Sequence, residues 1–80
     1  MITVHVRLYA TLRRYRPGLG LGEAEAVELA EGTTLGQLIQ QLDLPEDEVK
    51  VVFVNGISRE IDHVLADGDR VGIFPPVGGG

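Results

Sequence analysis

A chain of 80 residues is long enough for one domain with a single hydrophobic core, and it leaves little room for a deep catalytic pocket. Hydrophobic residues make up 44% of the chain and charged residues 24%, the balance of an ordinary folded domain, and the net charge of -5 argues against nucleic acid as a partner. The chain contains no cysteine, which excludes disulfides, thiolate metal sites and any sulfur chemistry on a cysteine side chain.

The first part of the chain predicts two strands joined by a short helical turn and a loop. Residues 2–8 alternate between apolar and polar, which is typical of a half-buried strand whose apolar face consists of Ile2, Val4, Val6 and Leu8. Residues 10–16 fit a helical turn, and the glycine-rich stretch 17–22 fits a loop. A second strand is predicted at residues 24–29, where the alternation returns.

The segment TTLGQLIQQL predicts the main helix. Thr34, followed three residues later by Gln37, fits a capping box. Helical spacing then places four apolar residues on one face, Leu35, Leu38, Ile39 and Leu42, so we expect this face to pack on a sheet. Three acidic residues at 46–48, after a proline, suit the first turn of a short second helix.

The second half of the chain predicts the remaining strands. The apolar run 50–54 leads into Asn55-Gly56, which is typical of a two-residue type I′ hairpin, so the chain is expected to return alongside it. Residues 67–69 predict another tight turn, and residues 70–74 the last strand. One helix packed on one face of a mixed sheet makes an α+β domain of two layers.

Most catalytic patterns are missing from this sequence. His5 and His63 are the only histidines and lack the spacing of a zinc-protease pair, and Lys50, the only lysine, is not part of a phosphate-binding loop. We interpret the basic cluster at residues 13–16 as a solvated turn, with contact to an acidic protein patch as the alternative. Since the sequence shows no signal peptide and no membrane-length apolar run, we expect a cytoplasmic protein with no metal site and no membrane contact.

The C-terminal sequence PPVGGG offers a functional group of a different kind. Glycine has no Cβ and can thread a narrow channel, and residues 76–80 reach about 15–18 Å when extended. The carboxylate of Gly80 is a poor electrophile at neutral pH, so it would need activation, which adenylation by an ATP-using partner would supply. For the tail taken alone, an inert frayed end is the competing interpretation.

Four segments of the chain carry a family resemblance: VRLYATLR, TTLGQLIQQL, VFVNG and the closing DGDRVGIFPPVGGG. Together they resemble the MoaD/ThiS family of ubiquitin-like sulfur carriers over the whole chain, and the end is similar to its molybdopterin branch. The resemblance implies the β-grasp fold, in which a mixed sheet of five strands clasps one helix and the last strand lies beside the first. We expect a folded domain over residues 1–75 and an extended tail over residues 76–80.

The resemblance also implies a function, that of the small subunit of molybdopterin synthase, which carries sulfur and is not itself the catalyst. An E1-like adenylating enzyme would use ATP to activate Gly80, and a persulfide enzyme would supply sulfur to give a thiocarboxylate. The tail would then enter the large synthase subunit and donate sulfur to a pterin precursor during molybdenum cofactor biosynthesis. Gly79 and Gly80 match the functional end of the family, and the domain itself would bind no cofactor.

Phe74 is the predicted docking residue on the folded body. If the residue before it faces the helix, alternation turns Phe74 outward beside the tail, where an aromatic ring would anchor a partner. The alternative is that a neighbouring loop covers this ring. Pro75 and Pro76 would stiffen the exit of the chain, and Val77 and Gly78 would complete the partner-binding segment.

Other functions remain open at this point. A ubiquitin-like protein modifier uses the same activation and transfers Gly80 to a lysine amine, and a thiamine-type sulfur carrier shares the Gly-Gly end. A β-grasp binding module with an inert tail would use neither chemistry.

Overall fold

The computed structural model describes residues 1–20 and 22–76, so the functional roles predicted for Val77, Gly78, Gly79 and Gly80 lie outside the described residues. The strands are β1 (Ile2–Leu8), β2 (Glu25–Leu29), β3 (Val51–Val54), β4 (Ile57–Arg59) and β5 (Arg70–Phe74), and the helix is α1 (Leu35–Gln41). Two short 3₁₀ helices, Ala10–Tyr15 and Glu46–Glu48, lie in the connections. Every predicted element is present, although the second strand begins one residue after Ala24 and the third one residue after Lys50.

The five strands form one mixed sheet in the order β2-β1-β5-β3-β4. β5 lies parallel to β1, with Leu8 opposite Ile73, and antiparallel to β3. β2 pairs antiparallel with β1, and β4 pairs antiparallel with β3. These two strands, β2 and β4, form the edges of the sheet. The first and last strands of the chain are therefore neighbours inside the sheet, and the predicted α+β, β-grasp arrangement is confirmed.

The core lies between one face of the sheet and α1. The apolar face predicted for the first strand is buried, and so is the predicted face of the helix, Leu35, Leu38, Ile39 and Leu42. Val4, Leu12 and Ile73 are fully buried, so the first 3₁₀ helix and the last strand also contribute side chains to this core. Burying one such side chain stabilises the fold by about 1.5–3 kcal/mol, and the core therefore holds the sheet and helix together.

The helix begins with the predicted capping box. The Thr34 hydroxyl accepts a hydrogen bond from the Gln37 N–H at 3.3 Å, and the Gln37 amide oxygen accepts one from the Thr34 N–H at 2.9 Å. The next two helical N–H groups donate to carbonyls of the loop before β5, Leu35 to His63 at 3.0 Å and Gly36 to Ile61 at 2.9 Å. This loop is thus fixed against the start of the helix because it satisfies donors that an α-helix leaves unpaired.

Asn55 links the β3–β4 turn to β5. Asn55 and Gly56 have φ angles of 53° and 85°, as the predicted type I′ turn requires. The Asn55 side-chain oxygen accepts a hydrogen bond from the Arg70 N–H, and its amide donates to the buried carboxylate of Asp69, both at 2.9 Å. Asp69 also accepts from the Ala66 N–H at 2.8 Å, so a single side chain joins the hairpin to the turn before the last strand.

We expect Asn55→Gly to lower the free energy of unfolding by about 1–3 kcal/mol, because it keeps the backbone turn but leaves the Asp69 carboxylate without its amide donor. Urea unfolding measures this change. Ser58→Gly on the exposed edge strand is the matched control for the added backbone freedom. If the two variants lose the same stability, the Asn55 side chain does not make the structural link described here.

Candidate functional site

The chain leaves the sheet at the end of β5, beside β3. The carbonyl of Phe74 accepts a hydrogen bond from the Lys50 N–H at 2.8 Å, which is the last bond of the ladder on this side. Pro75 and Pro76 follow outside any strand, and the exposed Pro76 is the last residue that the structure describes. The predicted docking residues therefore divide into a described part, Phe74 to Pro76, and a part outside the described residues.

The ring of Phe74 lies on the sheet face opposite the helix. Ile73 is fully buried in the core, and Phe74, the next residue, is half-buried on the other side, as the alternation predicted. Its ring stacks on Tyr9, with centroids 4.2 Å apart and planes 2° apart. The edge-on ring of Phe53 lies 5.6 Å away. Phe74 is thus partly covered by two rings on the same face of the sheet. This arrangement differs from both sequence-based expectations, a free ring and a ring covered by a loop.

Gly72 makes this aromatic cluster possible. A Cβ added at this position would lie 3.3 Å from Cε2 of Tyr9 and 3.6 Å from Cε1 of Phe74. Any side chain at position 72 would therefore crowd the stacked rings of Tyr9 and Phe74. No local pattern connects Tyr9, Phe53 and Gly72 with Phe74, because these residues meet only when three strands pair.

A depression of about 370 Å³ lies on this face next to the rings. Phe53 and Phe74 provide apolar walls, and Arg7 and Arg70 bring positive charge to it. The Arg7 guanidinium is held by a hydrogen bond from Nε to the Gly22 carbonyl at 2.9 Å, whereas Arg70 is exposed. The site combines apolar area with local positive charge on a chain of net charge -5, a combination suited to an apolar side chain flanked by carboxylates.

The basic cluster at residues 13–16 is largely occupied by contacts within the chain. Arg14 pairs with Glu48 at 2.6 Å, and the Tyr15 hydroxyl donates to the same carboxylate at 2.7 Å. Arg16 pairs with Glu25 at 2.9 Å. The hydrogen bond with Tyr15 and then the charge of Glu48 raise the pKa of the Arg14 guanidinium above its ordinary value. These contacts favour a structural role for the cluster.

Within residues 1–20 and 22–76, no group of three or more histidine, cysteine or acidic side chains is arranged to hold a metal ion. His5 lies in β1, opposite Arg70 of β5, and His63 lies in the loop before β5. The same part of the chain has no helix with the length and apolar character needed to cross a membrane. The open face and the chain exit therefore remain the best candidate site in the described part of the chain.

The chain matches a family model and is similar in fold to solved structures. The ThiS family model matches residues 6–80. A Pyrococcus furiosus protein provisionally named molybdopterin converting factor subunit 1 is 30% identical, with 96% of this chain and 100% of that chain covered and a TM-score of 0.77.

Two further structures are similar in fold. The small archaeal modifier protein 1 of H. volcanii is 21% identical, with 96% of this chain and 100% of that chain covered and a TM-score of 0.76. A chain from the complex of subunits 1 and 2 of the molybdopterin-converting factor of Helicobacter pylori is 22% identical, with 99% and 100% covered and a TM-score of 0.63. Because the family model extends over almost the whole sequence and the β-grasp fold is present, the chain belongs to the ThiS family of ubiquitin-like sulfur carriers.

Proposed function

We propose that this protein is the small subunit of a molybdopterin synthase and carries sulfur as a thiocarboxylate on Gly80. The observation that carries the proposal is the family match through residue 80, together with 30% identity to the P. furiosus protein named as subunit 1 of a molybdopterin converting factor. The Gly-Gly end follows a last strand whose ladder stops at Phe74, and a proline pair separates the two. The folded domain, by this proposal, covers residues 1–75 and the tail residues 76–80.

The chemistry takes place on the main chain. The Gly80 carboxylate attacks the α-phosphate of ATP in the active site of an E1-like enzyme, pyrophosphate leaves, and an acyl adenylate forms. The terminal sulfur of a persulfide enzyme then displaces AMP, and a thiol cleaves the resulting acyl disulfide to leave the thiocarboxylate. Glycine suits this position because its carbonyl is unhindered and its backbone fits a narrow channel.

The body of the domain supplies the docking surface in this proposal. Phe74 and the depression beside it lie where the chain leaves the sheet, so a partner that contacts this face is positioned to receive the tail. The H. pylori complex of subunits 1 and 2 supports a large synthase subunit as one such partner. Pro75 and Pro76 restrict the first backbone angles beyond β5, which limits the entropy lost when the tail is inserted.

A thiocarboxylate on Gly80 is the first expected outcome. Intact mass spectrometry of the chain recovered from its native cells should show a fraction in which one oxygen is replaced by sulfur. Removal of Gly79 and Gly80 should abolish this species with no change in thermal unfolding, since both residues lie beyond the last strand. A full-length chain that never carries sulfur, in cells that make the molybdenum cofactor, would contradict the proposal.

Mass spectrometry of digested protein from the same cells tests the protein-modifier alternative, which the similarity in fold to the H. volcanii modifier protein supports. Branched peptides in which Gly80 is joined to lysines of other proteins would support a modifier. An unmodified end in every fraction would support a binding module with an inert tail. Each function thus leaves a different mass on the last residue.

Phe74→Ala should weaken binding to the large synthase subunit by about tenfold or more, because it removes the aromatic anchor next to the tail. Titration calorimetry of the purified pair measures the dissociation constant. Val64→Ala, which truncates an exposed apolar residue in the loop before β5, is the control for loss of apolar surface alone. Unchanged affinity of a folded Phe74→Ala variant would exclude this ring from the interface.

The charge at the depression should act mainly on the association rate. Arg70→Glu is expected to slow association with an acidic docking surface by about tenfold at low salt, and the difference should shrink as the ionic strength rises. Arg59→Glu makes the same charge change on the edge strand β4 and is the matched control. Stopped-flow mixing with the large subunit at two salt concentrations measures the association rate of each variant. Equal slowing by the two variants would mean that the association rate depends on the net charge of the chain and not on charge at the depression.

A further inference from the structure

Asn55, the only asparagine of the chain, is followed by Gly56 at the exposed tip of the β3–β4 turn. Asparagine is a chemically labile residue, and a following glycine leaves the next main-chain nitrogen open to react with the side-chain amide. We propose that Asn55 is a deamidation site that the fold keeps closed. The folded chain is protected by the contacts of the Asn55 side chain, whereas a chain that opens at this turn loses the amide and does not regain the same fold.

The reaction is an attack of the main chain on the side chain. The main-chain nitrogen of Gly56 attacks Cγ of Asn55 and loses its proton to hydroxide, and a C–N bond closes a succinimide ring. The bond from Cγ to Nδ2 breaks, and nitrogen leaves with the electron pair as ammonia after taking a proton from water. Water then opens the ring at either carbonyl and gives aspartate or isoaspartate at position 55. Water is the only co-reactant, and no group is oxidised or reduced.

Two hydrogen bonds hold the Asn55 amide against the start of β5. Its Oδ1 accepts from the Arg70 N–H, and its Nδ2 donates to Oδ1 of Asp69, both at 2.9 Å. Ring closure requires Cγ to turn toward the nitrogen of Gly56, and the amide oxygen and nitrogen turn with it. Because both atoms are bound to the same short segment, the amide cannot take up the reactive geometry until these bonds break.

The backbone of the turn is held as well. The Asn55 N–H donates to the Arg70 carbonyl at 2.8 Å, so three hydrogen bonds join Asn55 to Asp69 and Arg70. Val54 and Ile57 are paired directly across the turn. The reaction therefore requires the tip of the hairpin to separate from the start of β5.

Asp69 is a fixed partner for the amide. Its side chain is buried, and its second oxygen, Oδ2, accepts from the Ala66 N–H at 2.8 Å. A carboxylate held from two sides cannot follow the Asn55 amide as it rotates, so rotation breaks the bond between them. The described contacts thus oppose the reaction from both partners.

The products do not fit the same contacts. Aspartate would place an oxygen where Nδ2 now donates, so two carboxylates would face each other at a partly buried position. Isoaspartate adds a carbon to the main chain inside a two-residue turn, which disturbs the pairing of Val54 with Ile57. Either product loses the link between the hairpin and β5, so each opening that ends in deamidation lowers the stability of that chain for good.

Folded and unfolded samples of the full chain, incubated side by side at mildly alkaline pH, test the proposal. Guanidinium chloride unfolds one sample, and sodium chloride gives the other the same ionic strength. Intact mass spectrometry follows the replacement of an amino group by a hydroxyl, and peptide mapping locates it. The unfolded chain should react about 100-fold faster or more, because only the open fraction of the folded sample reacts.

The Asp67-Gly68 pair can isomerise without a change in mass, so it does not disturb this measurement. Equal rates in the two samples, or a mass change located at a glutamine, would overturn the inference.

A pair of variants tests the protective contact itself. Asp69→Ala removes the acceptor of the Asn55 amide and should raise the deamidation rate of the folded chain by about tenfold or more. Asp67→Ala is the matched control, because it removes a nearby carboxylate that accepts from the Thr3 N–H at 2.8 Å instead. Guanidinium chloride is added to the control until both variants have the same unfolded fraction. Equal rates at that point would mean that global unfolding sets the rate and would overturn the protective role of the contact.

The stability of the product gives a readout that does not depend on the folding of Asp69→Ala. Deamidated chains, separated by ion exchange and returned to buffer, should unfold at a lower guanidinium concentration than unmodified chains taken through the same steps. Asn55→Asp represents the aspartate product alone and should also unfold earlier than the unmodified chain. Products as stable as the unmodified chain would overturn the inference. These measurements do not involve Gly80, so failure here leaves the proposed sulfur carriage intact.

Discussion

The parallel pairing of β5 with β1 is the interaction on which the rest of this structure depends. It joins the first and last strands of the chain through backbone bonds such as Tyr9 N–H to the Ile73 carbonyl, 3.1 Å long. β5 is also paired with β3 on its other side, so it cannot shift register without breaking bonds to both neighbours. This fixed central strand decides where the chain leaves the sheet and which side chains surround the exit.

The same strand serves two purposes through its two faces. Val71 and Ile73 point into the core and contribute apolar burial, whereas Gly72 and Phe74 lie on the open face. A glycine inside a strand costs conformational entropy, and here it allows two aromatic rings to stack across the strand. The core side chains and the proposed docking residue thus lie on opposite faces of one strand, so a variant of Phe74 can test docking without removing a core side chain.

The candidate function differs from that of an enzyme because the proposed reactive carbon belongs to the main chain. The role of the fold in this proposal is then placement, because it holds the candidate docking surface around Phe74 beside the point where the chain leaves the sheet. Arg14 and Arg16, which the sequence left open as a partner-binding cluster, are paired with Glu48 and Glu25 instead. Positive charge beside the exit comes from other arginines, on strands β1 and β5.

The sequence by itself determined the elements of this protein, because alternation in β1, the capping box of α1 and the Asn55-Gly56 turn are local patterns that need no distant contact. It also indicated the chemistry of the Gly-Gly end through a family resemblance. Only the tertiary structure decided the surface that accompanies this end. Tyr9, Phe53 and Phe74 are distant in sequence and meet only because three strands pair in one register, and no local pattern encodes that pairing. The position of Lys50 beside the end of β5 has the same origin, since a backbone hydrogen bond across the sheet joins it to Phe74.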